Sequence, residues 1–471
     1  MDTIWTPQID PAIKPKYRAV VQEIRKGIAS GDLVAGDKLP PVRDLGWKLD
    51  MTPGTVARAY TVLTDEGVLV AEIGRGTFVA AQKVEPLALY SDMEEDVVVY
   101  KTGGDSYQVN LFSPHLPNGG QSQLIRSLLA QIAQEPPSGL MHYPSRRGAQ
   151  PAREAMLHWL RDTQLGPLVE NDIVLSHGGQ NAIMLVYQTI LTGRRPVIFV
   201  EELCYPGFRR VATALRADVV PVAMDEDGLC PVALAAAAER YPEGQIICTS
   251  PEVHSPTCGF SPLSRRHEIV EVARRFDLQI VEDDCYRIGP AQAPGYRQLA
   301  PERGWYITSL SKSITPALRL GCAIGPREQT QALHRAAEHG FFGLATPMTD
   351  LAAALLVHPQ LDAITARVRD MIEAYVQVAV NALGGYDLRW RPDVPFVWLN
   401  LPEGWRASAF CRAAETRGVR VRASEEFAAR NARTPHAVRM AINAGVTLAS
   451  FEAAMGRLRH LLDNPNDEIG V

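Results

Sequence analysis

The sequence predicts an α/β protein of two domains, in which three short helices and a β-hairpin precede a larger domain with a largely parallel sheet. Three observations lead to this prediction. The chain has 471 residues, and a single hydrophobic core does not grow to that size. Its first part holds three helical patterns and then one alternating run. The remainder alternates β-like runs with helical patterns, which is typical of a parallel sheet covered by helices on both faces.

Composition and charge exclude several classes of protein. Apolar residues make up 46% of the chain and charged residues 21%, as in ordinary globular proteins. The formal charge of -5 gives no chain-wide basic signal for nucleic acid or membrane, so a nucleic-acid site would have to be local. The 7 cysteines include no Cys-x-x-Cys pair, which argues against a disulfide framework and against a zinc or other metal site. With no signal peptide and no membrane-spanning apolar stretch, we expect a cytoplasmic protein.

The N-terminal helices are predicted from apolar residues at helical spacing. The first extends from Ile13 to Ile28 and stops before Gly31, the second begins after Pro41, and the third begins after the N-cap residue Thr52. The run VLVAEIGRGTFVA then alternates around a Gly-Arg-Gly turn, which predicts a two-stranded hairpin. Helix, helix-turn-helix and hairpin in this order are the layout of a winged helix.

A DNA-binding role for this domain depends on where its charges lie. Within residues 1–80, 10 Lys and Arg residues are balanced by 10 Asp and Glu residues. The third helix would bury Val56 and Leu63, which leaves Thr55 and Arg58 directed outward. The alternative is a protein-docking module whose arginines are only solvated. The residues predicted to contact DNA are Arg43, Thr52, Thr55, Arg58 and Arg75.

The domain boundaries follow from a change in pattern. The winged-helix domain is assigned to residues 11–80, and a linker with the acid cluster DMEED to residues 81–107. The α/β domain is assigned to residues 108–465. Its predicted strands are the runs DIVLS, RPVIFVE, DVVPVAM, QIICTS, LQIVEDD and GWYITSLS.

The densest chemistry lies in the segment YITSLSKSITPALRLGCAIG. Lys312 follows a strand and is flanked by the hydroxyls of Ser309 and Ser311, with Arg319 seven residues further on. A lysine amine can form a Schiff base with an aldehyde, while hydroxyls and a guanidinium can bind phosphate oxygens. The segment therefore predicts a site for a ligand that carries both an aldehyde and a phosphate.

Three upstream segments add to this site. IVEDDCY ends a strand with two carboxylates that have no obvious local partner, and Asp283 and Tyr286 are spaced to reach a pyridine nitrogen and a ring hydroxyl. Gly178 and Gly179 form a strand-to-helix turn whose backbone N–H groups can bind phosphate. Tyr205 follows another buried strand, where its ring can stack on a flat ligand or simply pack in the core.

The first domain resembles the GntR-type winged-helix DNA-binding domain. The segments that carry the resemblance are P-x-x-R-D-L, TPGTVARAY, DEGVL and GRGTFV, over roughly residues 13–80. The family commonly has arginines in the recognition helix where this chain has Pro53 and Ala57. We therefore expect base recognition by this helix to differ from that of the family.

The second domain resembles the fold-type-I aspartate aminotransferase superfamily over roughly residues 108–465. The resemblance implies pyridoxal 5'-phosphate as cofactor, a Schiff base at Lys312, and a substrate carboxylate bound by Arg439 in AVRMAIN. It also implies that Tyr143 reaches a phosphate across a dimer. The remaining residues it assigns to the cofactor are Gly179, Gln180, Tyr205, Ser255, Asp283, Tyr286, Ser309, Ser311 and Arg319.

One segment departs from the aminotransferase pattern. The family's N-P-T-G appears as Ser255-Pro256-Thr257-Cys258, so the Asn that contacts the ring oxygen is replaced by Ser255. The Schiff base and the phosphate contacts do not depend on this position. We therefore expect the chain to bind the cofactor, and we expect the electronic properties of the cofactor ring to differ from those in the family.

Together, the two domains resemble the MocR/GabR-type transcriptional regulators. The resemblance implies a DNA-binding homodimer, with winged helices exchanged between partners, that senses an amino compound through Lys312 and controls catabolic or cofactor genes. Two alternatives stay open from the residues. One is a working class I aminotransferase with an appended winged helix, and the other is a sensor of pyridoxal phosphate itself, for which Arg439 would have no purpose.

Overall fold

The chain folds into two compact units, Met1–Glu95 and Asp96–Val471. The computed structural model describes residues 5, 7, 9, 15–65, 68–72, 76–80, 108–134, 140–429, 432 and 434–464. The predicted linker at 81–107, the hairpin turn and Arg75 lie outside the described residues. None of the described helices is long and apolar enough to cross a membrane.

The first unit has the predicted winged-helix layout. Its elements are α1 (Lys16–Ser30), α2 (Val42–Lys48), α3 (Pro53–Asp65), β1 (Leu69–Glu72) and β2 (Gly76–Val79). The two strands pair antiparallel, with Leu69 opposite Val79.

The helices of this unit end where the local sequence requires. Helix α1 ends at Gly31, whose φ of 82° is left-handed and whose N–H donates to the carbonyl of Ile28. Pro41 immediately precedes α2, and Pro53 is the first residue of α3, where the missing N–H costs no helical hydrogen bond. One side of each helix then packs into a common core. That core includes Val20, Ile24, Leu45, Val56, Ala59, Leu63 and Leu69.

The second unit contains a large sheet, a smaller sheet and the helices that cover them. Its strands are β3 (Val109–Asn110), β4 (Ile173–Ser176), β5 (Val197–Glu201), β6 (Asp218–Val222), β7 (Met224–Asp225), β8 (Gly228–Leu229), β9 (Gly244–Thr249), β10 (Gln279–Asp283), β11 (Gly304–Ser309), β12 (Gly321–Ile324), β13 (Leu388–Arg389), β14 (Phe396–Asn400), β15 (Val419–Arg420), β16 (Arg422–Ala423) and β17 (Ala437–Ala441). Its helices are α4 (Gln121–Ile132), α5 (Gln150–Trp159), α6 (Gly179–Ile190), α7 (Pro206–Ala214), α8 (Pro231–Arg240), α9 (Leu263–Arg275), α10 (Tyr296–Leu299), α11 (Thr330–Phe341), α12 (Thr346–Leu356), α13 (Leu361–Leu383), α14 (Ala407–Thr416) and α15 (Leu448–Asp463).

The large sheet has seven strands in the order β4-β12-β11-β10-β9-β5-β6. Only β12 runs antiparallel to its neighbours, so the largely parallel sheet is confirmed, and all six predicted runs are strands. Successive residues of a strand pack into opposite layers, as the pleat requires. Tyr306 packs into the layer of α5 and α12, and the next residue, Ile307, packs into the layer of α6 and α7.

The smaller sheet was not predicted from the sequence. It has four strands in the order β13-β14-β17-β16, paired antiparallel. Two of these strands are only two residues long, which is too short for an alternating pattern. The long helices α13 and α15 pack on it around Val397, Leu399, Val438 and Met440.

A buried ionic cluster stabilises the second unit behind the sheet. The side chain of Arg266, on α9, is fully buried, and its Nη2 lies 2.8 Å from Glu252 Oε2. Its Nη1 lies 3.9 Å from Glu282 Oε1, and its other N–H groups donate to backbone carbonyls, including that of Ser261. Removing one partner of such a cluster leaves buried charge unpaired, which is costly.

We therefore expect Arg266→Met to lower the free energy of unfolding by about 3–5 kcal/mol, because it leaves Glu252 and Glu282 unpaired. Arg275→Met is the matched control on the same helix, because Arg275 pairs with Glu239 in an exposed ion pair at 2.9 Å. Its expected effect is within about 1 kcal/mol. Urea unfolding followed by tryptophan fluorescence measures both variants. Equal losses would contradict the assigned role of the cluster.

Candidate functional site

The predicted site residues of the second unit lie at one edge of the large sheet. Strands β4, β5, β10 and β11 run parallel, so their carboxyl ends meet there. Gly178 follows β4, Tyr205 follows β5, Asp283 ends β10, and Lys312 follows β11. In open α/β sheets this edge is the usual place for a ligand.

Lys312 lies next to Tyr286 at this edge. Its Nζ is 5.8 Å from the centre of the Tyr286 ring. Ser309, the last residue of β11, and Ser311, in the turn that carries the lysine, are both buried. Lys312 is also the one lysine between residues 102 and 471, where every other basic position except histidine is arginine.

Of the two neighbouring carboxylates Asp283 and Asp284, only Asp283, the last residue of β10, lacks an ion pair among the described residues. Asp283 is buried, and its Oδ1 accepts a hydrogen bond from the backbone N–H of Cys285 at 3.0 Å. The side chain of Asp284 accepts hydrogen bonds from Arg287 Nε at 2.6 Å and from the Tyr306 hydroxyl at 2.7 Å. The expectation that both terminal carboxylates lack a local partner was therefore wrong for Asp284, because Arg287 three residues on folds back to it. Burial raises the pKa of Asp283 to about 6.

The turn after β4 forms a place for an anion. Gly178 has a φ of 79°, and α6 begins at the next residue with its first N–H groups directed outward. A Cβ at Gly178 would lie 3.0 Å from the Arg319 guanidinium, and one at Gly179 would lie 2.5 Å from Cys285 Sγ. The absence of a Cβ at these two positions therefore lets Arg319 and Cys285 approach the backbone of the turn.

The Tyr205 ring lies at the start of α7, beside Gln180. Its hydroxyl donates to Gln180 Oε1 at 3.1 Å, and Gln180 Nε2 donates to the carbonyl of Gly207 at 3.3 Å. A Cβ at Gly207 would approach Tyr205 Cε1 to 2.1 Å, so only glycine fits there. These contacts fix the orientation of the ring.

Arg439 joins Tyr286 and Ser255 at the same place. It lies on β17 and is 2% exposed, and its Nη1 donates to Ser255 Oγ at 3.3 Å and to the Tyr286 hydroxyl at 3.4 Å. Burial alone would raise the pKa of Tyr286, but the charges of Arg439 and Lys312 outweigh it and hold that pKa below its ordinary value. The substituted Ser255 is therefore in contact with the arginine that the resemblance assigns to the substrate.

The guanidinium group of Arg439 is buried. Among the described residues, none of its nitrogens forms an ion pair, and its Nε has no hydrogen-bond partner. The guanidinium lies 4.7 Å from the centre of the Phe427 ring and 5.3 Å from that of Phe396. Such a group is suited to bind an acidic ligand.

Sequence reasoning missed two contacts of this site. The carbonyl of Phe112 accepts from Arg439 Nη2 at 2.6 Å, although the two residues are 327 positions apart. His254 is buried next to Ser255, with its Nε2 3.3 Å from Glu201 Oε2 and its Nδ1 2.7 Å from Thr257 Oγ1. No local spacing in the sequence indicates either contact.

The residues at this edge fit pyridoxal phosphate. A buried carboxylate is present for a ring nitrogen, a lysine for the aldehyde, and a glycine turn beside an arginine for the phosphate. The close approach of Arg319 to Gly178 places a cation next to the first N–H groups of α6, which is a suitable pair of donors for a phosphate.

Of the predicted DNA-binding residues that the structure describes, Arg43, Thr52 and Arg58 are exposed and Thr55 is half-buried. Val56 and Leu63 are buried as predicted. The Arg58 guanidinium lies over the ring of Tyr17, 4.6 Å from its centre. In the first turn of α3, the hydroxyls of Thr52 and Thr55 are 2.9 Å apart and hydrogen-bonded.

Tyr143 is separate from the group at the sheet edge within a single chain. It is 83% exposed, and its ring centre is 5.6 Å from that of Phe342, which is 68% exposed. Met141 nearby is 92% exposed. These residues form an exposed apolar patch, defined here as Met141, Tyr143 and Phe342.

Comparisons with known proteins agree with this geometry. Residues 107–458 match the family described as aminotransferase class I and II, and residues 16–79 match bacterial regulatory proteins of the gntR family. The HTH-type transcriptional regulator YdeF of Bacillus subtilis is 27% identical over 462 residues, which are 98% of this chain and 97% of that protein.

A second relative and a solved structure give the same picture. The vitamin B6 salvage pathway transcriptional repressor PtsJ of Salmonella typhimurium is 27% identical and covers 87% of this chain and 90% of its own length. The crystal structure of an archaeal alanine:glyoxylate aminotransferase superimposes with a TM-score of 0.69 at 18% identity, over 77% of this chain and 92% of that one. At that identity the similarity shows the fold.

The raised pKa of Asp283 has a consequence for stability. The folded chain without cofactor keeps the carboxyl proton to a higher pH than the unfolded chain does, so stability falls as pH rises from about 4 to about 6, and the loss persists above. Asp283→Asn removes the charge and keeps the oxygen that accepts from Cys285. At pH 7.5 we expect the cofactor-free variant to gain about 3 kcal/mol over wild type, with almost no gain at pH 4.

Urea unfolding of the cofactor-free chain at the two pH values checks this prediction. Asp362→Asn serves as the control, because Asp362 is exposed and pairs with Arg161 at 2.9 Å on the surface. A gain that is equal at both pH values would show that Asp283 does not titrate as described.

Proposed function

Because the chain belongs to the aminotransferase class I and II family and carries a gntR-family DNA-binding domain, we propose that it is a pyridoxal phosphate-dependent transcriptional regulator of the MocR/GabR type. The observation that carries the proposal is the convergence of Lys312, Asp283, Tyr286 and Arg439 in a chain whose other unit is a winged helix. We further propose that it works in the cytoplasm, where a bacterial regulator meets DNA.

The proposed roles of the residues follow from their positions. Asp283 holds a proton at the ring nitrogen, Tyr286 hydrogen-bonds the ring oxygen, and Tyr205 stacks on the ring. When bound, pyridoxal phosphate supplies an aldehyde for which the Lys312 amine and an effector amine compete. The residues proposed to bind the phosphate or to lie along the rim of the cofactor are Gly179, Gln180, Ser255, Ser309, Ser311 and Arg319.

The position of Arg439 leads us to propose that the effector has an acidic group at one end. The fork of N–H donors on Arg439 matches a carboxylate, and its buried Nε has no partner among the described residues. An acid bound there would direct the effector's amine towards Lys312. We therefore propose an amino acid or a related amino compound as effector.

We propose that the chain acts as a homodimer. The exposed apolar patch of Met141, Tyr143 and Phe342 supports this, because large apolar side chains at such exposure are typical of an interface. Tyr143 would then reach the phosphate of the partner's site. An effector can act on DNA binding only through a difference in its affinity for two arrangements of the dimer.

Two further functions have support of their own. A working aminotransferase would use the same lysine, aspartate and arginine, and the complete set at the sheet edge favours it. A sensor of pyridoxal phosphate itself is favoured by the name of the relative PtsJ, which refers to vitamin B6 salvage. Arg439, which forms no ion pair among the described residues, favours an effector with an acidic group over a sensor of the cofactor alone.

Borohydride reduction of the cofactor-saturated protein tests the lysine. We expect a cofactor adduct on the peptide that contains Lys312 and none in Lys312→Ala, because no other lysine lies between residues 102 and 471. Mass spectrometry of the digested protein locates the adduct. Lys48→Ala, in the first unit, is the control that should keep it. An adduct on a different lysine would contradict the assignment.

The DNA-binding proposal is tested by Arg43→Ala and Arg58→Ala against DNA that the protein selects from a random pool. If Arg58 contacts a base, its variant should lose about 1–3 kcal/mol of affinity and tolerate more sequences. A phosphate contact by Arg43 should weaken binding evenly and reduce the salt slope by about one.

Lys26→Ala is the control for these variants, because it removes the same charge from an exposed position on α1. Binding should be measured by fluorescence anisotropy at several salt concentrations. If both arginine variants bind like the control, the first unit is a docking module.

A further inference from the structure

A second arginine lies directly opposite Arg439. Strands β16 and β17 pair antiparallel, and Arg422 is the register partner of Arg439. Directly opposed residues of an antiparallel pair point to the same face of the sheet. Both guanidinium groups therefore belong to the face that carries Tyr286 and the candidate site.

Both arginines converge on Phe112. The Arg422 guanidinium lies 5.3 Å from the centre of the Phe112 ring, and Arg439 donates to the Phe112 carbonyl at 2.6 Å. Burial raises the pKa of Tyr286, and the charge of Arg422 acts with those of Arg439 and Lys312 to lower it. The two arginines thus act on the same small volume beside Tyr286.

The charges in this volume are incompletely neutralised. The side chain of Arg422 is only 12% exposed, and its Nε lies 3.6 Å from Glu426 Oε2, which is 38% exposed as a side chain. The Nε atoms of Arg422 and Arg439 are both buried without a hydrogen-bond partner among the described residues. Like charges directly opposite on neighbouring strands destabilise a sheet, and burial increases that cost. A ligand with one carboxylate would neutralise one of the two guanidinium groups and leave the other without an added negative charge.

We propose that the effector carries two negative charges at its acidic end, as in an amino dicarboxylic acid, and that Arg422 determines this preference. The inference rests on the proposed function, because it specifies the ligand of the same site. Arg439 binds one acidic group, and Arg422 binds the second from the neighbouring strand. A phosphonate offers the same charge on a single group and is distinguished in the test.

Isothermal titration calorimetry of the cofactor-loaded full chain tests the proposal. The probes are L-aspartate, L-glutamate and 2-aminoethylphosphonate, against the monocarboxylates L-alanine and 4-aminobutyrate. We expect at least one doubly charged probe to bind about tenfold or more tightly than both monocarboxylates. Whether a dicarboxylate or the phosphonate binds more tightly identifies which acid Arg422 and Arg439 accept.

The variant Arg422→Gln should lower the affinity for the preferred probe by about tenfold or more, and that for L-alanine by less than about threefold. Arg420→Gln is the matched control. Arg420 lies on β15, the strand that precedes β16 in the sequence, and its guanidinium is 4.5 Å from the centre of the same Phe112 ring. Its register partner, however, is Asn110. The control should keep the preference of the wild type.

Two outcomes would overturn the inference. If monocarboxylates bind the wild type as tightly as the doubly charged probes, or if Arg422→Gln weakens all probes equally, Arg422 does not select the charge. The proposed function would then still hold, because amino compounds bind. If none of the five probes binds the loaded wild type, both the inference and the amino-compound effector are wrong.

Discussion

Buried charge has to be met by opposite charge or by hydrogen bonds, and this requirement separates the structural ionic groups of the chain from those available to a ligand. The charge of Arg266 is paired with Glu252, and its other N–H groups donate to backbone carbonyls. The charge of Asp284 is paired with Arg287. Asp283 and Arg439 are as deeply buried, but neither forms an ion pair among the described residues. The presence or absence of an opposite charge, more than residue type, distinguishes these two kinds of buried group.

The pleat of β10 produces part of this separation. The last two residues of the strand are acidic and a third acidic residue follows it, and the alternation of side chains along the strand sends Asp283 to the opposite side from Glu282. The two outer carboxylates pair with Tyr296, Arg266 and Arg287. One strand therefore contributes both to the stability of the unit and to the chemistry of its edge.

Spacing patterns in the sequence predicted those features that depend on residues close together in the chain. Six of the seven strands of the large sheet, the winged-helix elements and the strand-end positions of Lys312 and Asp283 all follow from spacing within about twenty residues. The partners of Arg439 could not be predicted in this way, because Phe112 lies 327 positions before it. Arg422 was also missed, since it belongs to a strand of two residues that shows no alternation. Contacts of this kind depend on how distant segments pack, and periodicity carries no information about them.

The single lysine between residues 102 and 471 has a consequence for the chemistry that the second unit can undergo. Within that range, a reagent or enzyme that acylates lysine has one target, the amine beside Tyr286. Acylation and the proposed attachment of the cofactor would exclude each other at this nitrogen, because each uses the same lone pair. Since the other basic side chains of the range are arginine or histidine, the reactivity of this one amine would then measure how much of the protein holds its cofactor.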